Sequence, residues 1–175
     1  FAKRHEIAQT MAALFRKKLI QKIYSAILNG HLPKSSGKAI PEAFIYLPIG
    51  KDSNSKIRIK QSVNSLGKPC QTYFREKEKI GDFSLVEVRP LTGRTHQIRV
   101  HAAHIGCAVL GDKLYGLPDD GFIRWLSDGD DYLLEQNFPL HRQLLHASEI
   151  RFEHPVKKIE TVIRASDEIL LKELN

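Results

Sequence analysis

The spacing of apolar side chains divides this chain into helical and extended stretches. In residues 5–18, Ile7, Met11 and Leu14 recur at i, i+4 and i+7 with Phe15 beside them, the period of an amphipathic helix. Arg16, Lys17 and Lys18 follow in its last turn, where cations complement the helix dipole. Residues 21–30 carry Ile23, Tyr24, Ala26, Ile27 and Leu28, a largely buried strand closed by Asn29-Gly30. On that pattern alone Tyr24 is a core tyrosine whose hydroxyl needs a partner. Residues 31–41 are loop by composition. Strand candidates follow at 43–49 and 56–60, the second alternating Lys-Ile-Arg-Ile-Lys so that one face is basic and solvated. A Ser/Asn/Gly loop spans 62–69. Segments 71–75 and 83–89 read as a hairpin with a charged turn around 77–81.

The hairpin feeds into residues 89–106, RPLTGRTHQIRVHAAHIG, the stretch with the densest chemistry. Pro90 ends the strand, since it has no N–H for a ladder. Thr92-Gly93 signals a turn. Ile98, Ala102 and Ile105 then take up helical spacing, with Thr95 as expected N-cap and Gly106 as the stop. Arg94 and Arg99 thus fall at the positive end of a helix, the unfavourable end for a cation. Either an anion is expected there, phosphate or carboxylate, or the residues form a solvated basic face. Asp112 reads first as a turn aspartate bonding its own backbone and second as a functional acid. Residues 117–131 are acidic and Gly-rich with one apolar piece at 122–126, a surface excursion. Residues 141–155 hold a strand ending at His154-Pro155, and 160–164 the last strand. Ser166 caps a terminal helix with Asp167 and Glu168 in its first turn and Leu170, Leu171 and Leu174 on its apolar side. Hairpin spacing dominates, so the expected class is α+β, a mixed, mostly antiparallel sheet flanked by helices.

Composition narrows the chemistry. With 42% hydrophobic residues in 175, a packed single domain is expected. The excess of 27 Lys and Arg over 20 Asp and Glu suits a polyanionic partner such as nucleic acid. Cys70 and Cys107 lack paired spacing, which speaks against a disulfide framework and a zinc site and for a reducing, cytoplasmic setting. No apolar run approaches the about 18 residues of a membrane helix, so no membrane partner is expected. His96, His101 and His104 lie close together, but no carboxylate or cysteine completes a known ligand spacing, so no metal is expected. Neither a Gly-x-Ser-x-Gly elbow nor a Gly-rich phosphate loop is present.

LTGRTHQIRVHAAHIGCAVLGDKLYG resembles the signature of the RluA-type RNA pseudouridine synthases. KIYSAILNG at 22–30 is similar to the tyrosine-bearing strand of that family. GKPCQTYF at 67–74 is similar to its Gly-Lys-Pro-x-x-Thr segment, and RQLLHASEIRFEHP at 142–155 to its Arg-x-x-Leu-His-Ala element. The 117–131 insert resembles the RluC-like subgroup that acts on large-subunit ribosomal RNA. The resemblance implies the pseudouridine synthase catalytic fold and an enzyme that isomerises uridine in RNA, with a flipped-out base and no metal or organic cofactor. It implies that Arg99 holds the catalytic carboxylate in an ion pair and that Tyr24 stacks on uracil. It also implies that Arg94, His96 and Gln97 lie near the RNA, and that Leu145 packs along the pocket.

The nucleophile of the family is an aspartate in an Arg-Leu-Asp segment followed by Thr-x-Gly. None of the aspartates in residues 1–175 has that context, and in the family the segment precedes the Phe-Ala-Lys that opens this chain. Residues 1–175 are therefore expected to be one partial catalytic domain, without the nucleophile segment or any N-terminal RNA-binding domain, and inactive alone. The alternative is a non-catalytic RNA-binding module. A missing strand would leave an open sheet edge and a tendency to self-associate.

Overall fold

The computed structural model describes residues 2–33, 41–136, 138 and 142–174. In chain order these form α1 (His5–Arg16), β1 (Gln21–Asn29), β2 (Glu42–Tyr46), β3 (Ile49–Lys51), β4 (Gln61–Val63), β5 (Gln71–Ile80), β6 (Phe83–Pro90) and α2 (Gln97–His104). Then come α3 (Lys113–Gly116), α4 (Asp119–Asp128), α5 (Asp130–Glu135), β7 (Leu145–Glu153), β8 (Glu160–Arg164) and α6 (Glu168–Lys172). The expected loop at 31–41 lies mostly outside the described residues.

Six strands make one sheet in the order β2-β5-β6-β1-β7-β8, and every pairing among them is antiparallel. β1 sits at its centre because Ala26, Ile27 and Leu28 are all inaccessible to solvent, so both strand faces need cover. One face, with Ala26, Leu28, Phe74, Val86 and Val88, packs against Ile98 and Ala102 of α2. The other, with Ile27 and Leu85, packs against Leu110, Leu144 and Leu170 of α6. A fully buried side chain such as Phe74 contributes about 1.5–3 kcal/mol relative to exposure.

Two irregularities aim side chains. Across β1 and β7, Ile23 faces Glu149 while Tyr24 faces Ala147, so Ser148 is an extra residue in β7. That bulge lies beside Tyr24, at the end of the sheet where α2 begins. α2 ends in a Schellman motif: Cys107 N–H donates to Ala102 O at 3.0 Å and Gly106 N–H to Ala103 O at 3.0 Å. Gly106 has φ 78°, which its missing Cβ makes inexpensive.

Several expectations are corrected. Residues 56–60 are not a strand. Asp119 accepts hydrogen bonds from Ser55 Oγ (2.6 Å), Lys56 N (3.0 Å) and Lys60 Nζ (2.6 Å), and Lys60 N–H turns back onto Ile57 O at 3.0 Å. The captured backbone draws Ile57 into a cluster with Leu114 and Phe122. The 62–69 loop is interrupted, because Ser62 pairs with Gly50 in a two-stranded ladder. Gly67 lies so close to Ile49 that a Cβ would sit 2.3 Å from its carbonyl carbon. The 117–131 excursion is helical, formed by α4 and the start of α5. Thr95 is exposed and does not cap α2; the N-cap is His96, in the left-handed region at φ 54°.

His101 is fully buried and structural. Its Nε2 donates to Leu47 O (3.1 Å) and its Nδ1 accepts from Thr72 Oγ1 (2.8 Å). Burial pushes its pKa below the ordinary 6.5. The neutral ring is thus the folded form, and protons are taken up on unfolding. The stabilisation is complete above pH 6.5 and is lost as pH falls from there towards the lower folded pKa. Urea unfolding in that acidic window is expected to show less pH dependence in His101→Gln than in the parent; equal slopes would contradict a neutral buried imidazole.

Candidate active site

Tyr24, Arg94, His96, Gln97, Arg99 and Leu145 all line one cavity of about 190 Å³, together with Lys22, Pro90, Thr92, Gly93 and Ile98. They arrive from three places: β1, the turn and first half of α2, and the start of β7. The volume is below the ~300 Å³ at which drug-sized sites begin, and suits one small ring. Among the described residues no carboxylate lines it.

Arg99 is the most constrained of the six. Its Nε donates to Asp112 Oδ2 at 2.6 Å and its Nη2 to Asp112 Oδ1 at 2.7 Å. Its guanidinium carbon stands 5.0 Å from the centre of the Tyr115 ring. Asp112 is completely buried, with 0% side-chain exposure against 17% for Arg99. Asp112 Oδ1 also caps α3, accepting from Leu114 N (3.1 Å) and Tyr115 N (3.2 Å). The turn reading of Asp112 holds, and its carboxylate has a further task as the partner of Arg99. Arg99 thus already has one carboxylate partner within the chain. One edge is already clamped, and Nη1 alone has no partner among the described residues. With both oxygens engaged and no exposure, Asp112 cannot reach a sugar carbon as a nucleophile.

Gln97 is buried and fully bonded. Its Nε2 donates to Gln71 O (2.7 Å) and Thr72 Oγ1 (3.0 Å), and its Oε1 accepts from Thr92 Oγ1 (2.8 Å) and Arg94 N (3.0 Å). That set uses all its capacity, so Gln97 fixes the turn that carries Arg94 and has no polar atom left for a ligand. Arg94 reaches Pro69 O with its Nε at 3.3 Å. Tyr24 packs against the core on the α2 side, and its hydroxyl has no partner among the described residues, unlike the expected core tyrosine. His96 Nδ1 lies 2.9 Å from the Tyr115 hydroxyl. Burial, and secondarily the Arg99 cation, lower the His96 pKa from 6.5.

The cavity opens beside a cleft of about 590 Å³ that shares Lys22, Pro90, Thr92, Gly93 and Arg94 and adds Arg16, Lys18, Arg89 and Arg151. Among the described residues no carboxylate lines this cleft either. Arg89 pairs with Glu87 and Arg151 with Glu149, whereas Arg16, Lys18 and Lys22 have no acidic partner among the described residues. Sequence reasoning missed Tyr115, Lys22 and this convergence. Nothing local in the sequence ties residue 16 to residue 151. Among the described residues no group of three His, Cys, Asp or Glu could hold a metal, and no helix is long and apolar enough to cross a membrane.

Residues 1–104 match the family described as RNA pseudouridylate synthase, and the chain belongs to that family. It is 35% identical over 173 residues to the Ribosomal large subunit pseudouridine synthase C of Vibrio cholerae, covering 98% of this chain and 48% of that protein. It is 33% identical over 174 residues to the protein of the same name from Buchnera aphidicola, covering 98% of this chain and 49% of that protein. The chain thus spans about half the length of the curated relatives it matches. In fold it is similar to Human RNA Pseudouridylate Synthase Domain Containing 1, with a TM-score of 0.72 and 28% identity over 99% of this chain and 65% of that one.

Asp112→Ala removes the partner of Arg99 and the cap of α3 at once. Urea denaturation is expected to show a loss of about 3–5 kcal/mol, the cost of leaving a buried ion unpaired. Arg94→Ala, which breaks one long bond at the surface, should stay within about 0.5 kcal/mol of the parent. Similar small losses for both would contradict the clamp.

Proposed function

We propose that the protein containing this chain isomerises uridine to pseudouridine in RNA, with large-subunit ribosomal RNA as its substrate class and the cytoplasm as its setting. The observation that carries this reading is the unpartnered Nη1 edge of Arg99 in a ring-sized cavity beside Tyr24. Family membership and the names of the curated relatives support the reaction and the RNA class.

The reaction breaks the bond from N1 to C1′ of the ribose, turns the base, and joins C5 to C1′. The proton on C5 leaves to solvent and N1 gains one, so the product is an isomer. In this scheme Tyr24 supports the flipped ring on its face. The free edge of Arg99 orients the aspartate carboxylate that acts at C1′, and keeps it ionised. Asp112 fixes the guanidinium so that no reorganisation is needed when that carboxylate pairs. Leu145 closes the apolar side of the pocket. Gln97 acts at one remove by holding the Arg94 turn. The unpaired cations of the adjoining cleft hold the phosphodiester backbone.

For residues 1–175 alone, a cavity lining with no carboxylate among the described residues favours a second reading, RNA binding without chemistry. RNA incubated with this chain alone is expected to be retained at low salt and to contain no new pseudouridine on nucleoside analysis. Conversion would contradict the assignment of the nucleophile.

Arg99→Ala by itself is a poor test, because it strands the buried Asp112 charge and threatens the fold. The better variant is Arg99→Gln combined with Asp112→Asn, made in the full-length protein. Pseudouridine formation on ribosomal RNA should fall roughly 100-fold or more, while the urea midpoint moves little. Turnover near the parent level would refute the ion-pair role.

A further inference from the structure

The hydrogen bonds of the Tyr115 hydroxyl constrain the chemical state of His96. The Tyr115 hydroxyl has two neighbours: Gln61 N at 3.1 Å and His96 Nδ1 at 2.9 Å. The backbone N–H of Gln61 can only donate, so the phenol oxygen accepts there. The phenol proton then needs an acceptor, and His96 Nδ1 is the one in reach among the described residues. Were Nδ1 to carry the proton, the phenol would receive two hydrogens and have no acceptor for its own among the described residues. The chain that satisfies every group runs from Gln61 N–H to Tyr115 Oη–H to His96 Nδ1, which leaves the imidazole proton on Nε2.

Three further features agree. Burial pushes the Tyr115 pKa up to about 12, so the phenol keeps its proton at neutral pH. Burial and the Arg99 cation hold His96 neutral. The ring is braced edge-on against Tyr115, with centroids 5.7 Å apart at 81°. His96 lines the cavity, and its Nε2 has no partner among the described residues.

We infer that Tyr115 locks His96 as the Nε2–H tautomer and that this N–H binds an acceptor oxygen of the RNA in the cavity. The identity of the ligand rests on the proposed function; the tautomer does not. The acceptor is either a ring carbonyl of the target base or an oxygen of its phosphodiester. Tyr115 is thus a positioning residue, acting through His96, and His96 is a binding residue of defined polarity.

Two measurements on the full-length protein test this. In protein labelled with 15N-histidine, two-bond 1H–15N correlations should show His96 as the Nε2–H tautomer at neutral pH. In Tyr115→Phe they should show loss of that single form. An Nδ1–H ring in the parent, or an unchanged tautomer in Tyr115→Phe, would overturn the lock. In RNA binding, His96→Gln, which places an amide N–H near Nε2, should stay within roughly 3-fold of the parent, and His96→Leu should lose roughly 10-fold. Equal loss in both would overturn the donor role. Uridines with sulfur in place of either ring oxygen, and a methylphosphonate linkage at the target, separate the two acceptors. The substitution that erases the gap between parent and His96→Leu names the atom, and a gap that survives all of them overturns the contact. RNA that fails to bind the parent at all would refute the proposed function and leave the tautomer result standing.

Discussion

The Arg99–Asp112 ion pair is the constraint on which the site depends. Arg99 occupies the first turn of α2, where the helix dipole disfavours a cation. Asp112 is a carboxylate with no access to water. Either ion alone would cost several kcal/mol to bury. Together they are compensated because the bond is bidentate and the spare valence of Asp112 Oδ1 is taken by two backbone N–H groups of α3. The same carboxylate therefore starts a helix and orients a guanidinium. Tyr115, three residues on, falls under that guanidinium and against His96 as a direct result. A short helix with no exposed chemistry of its own thus sets the geometry of two cavity residues.

The sheet explains why these groups meet where they do. β1 needs cover on both faces, and α2 supplies one of them through Ile98 and Ala102. Arg99 lies between those two contacts in sequence and turns off the packed face, towards the end of the sheet. The bulge at Ser148 lies beside Tyr24 at that same end. Gly93 and Arg94 stand where the small cavity adjoins the basic cleft. A net charge of +7 is thus not spread evenly: several cations with no acidic partner among the described residues face one cleft, and no described carboxylate lines it. That arrangement concentrates positive potential beside the small cavity.

Much of this was legible in the sequence, because apolar period and turn chemistry act locally. The central strand, the last two strands and the helix over residues 97–104 follow their patterns, and the hairpin forms with its first strand carried through the charged residues 77–80 to a turn at 81–82 rather than 77–81. The resemblance to pseudouridine synthases selected six residues that the fold gathers around one cavity. Most of the failures share a cause: a side chain from elsewhere in the chain overrode the local signal. Lys-Ile-Arg-Ile-Lys at 56–60 alternates like a strand, yet Asp119 takes its hydrogen bonds. Thr95 is the exception, a local failure: it has the chemistry of a cap, yet the helix starts one residue later, with His96 at the N-cap in the left-handed region at φ 54°. Asp112 reads as a turn residue, and its ion pair with Arg99 depends on how α2 and α3 pack, which no short window contains.

The most direct test of the account is a crystal structure of the full-length protein bound to uridine-containing RNA. The predicted result has the target base against Tyr24, an aspartate carboxylate on the Nη1 edge of Arg99, and Asp112 still holding Nε and Nη2. A base bound outside the cavity, or a carboxylate that displaces Asp112 from Arg99, would contradict it.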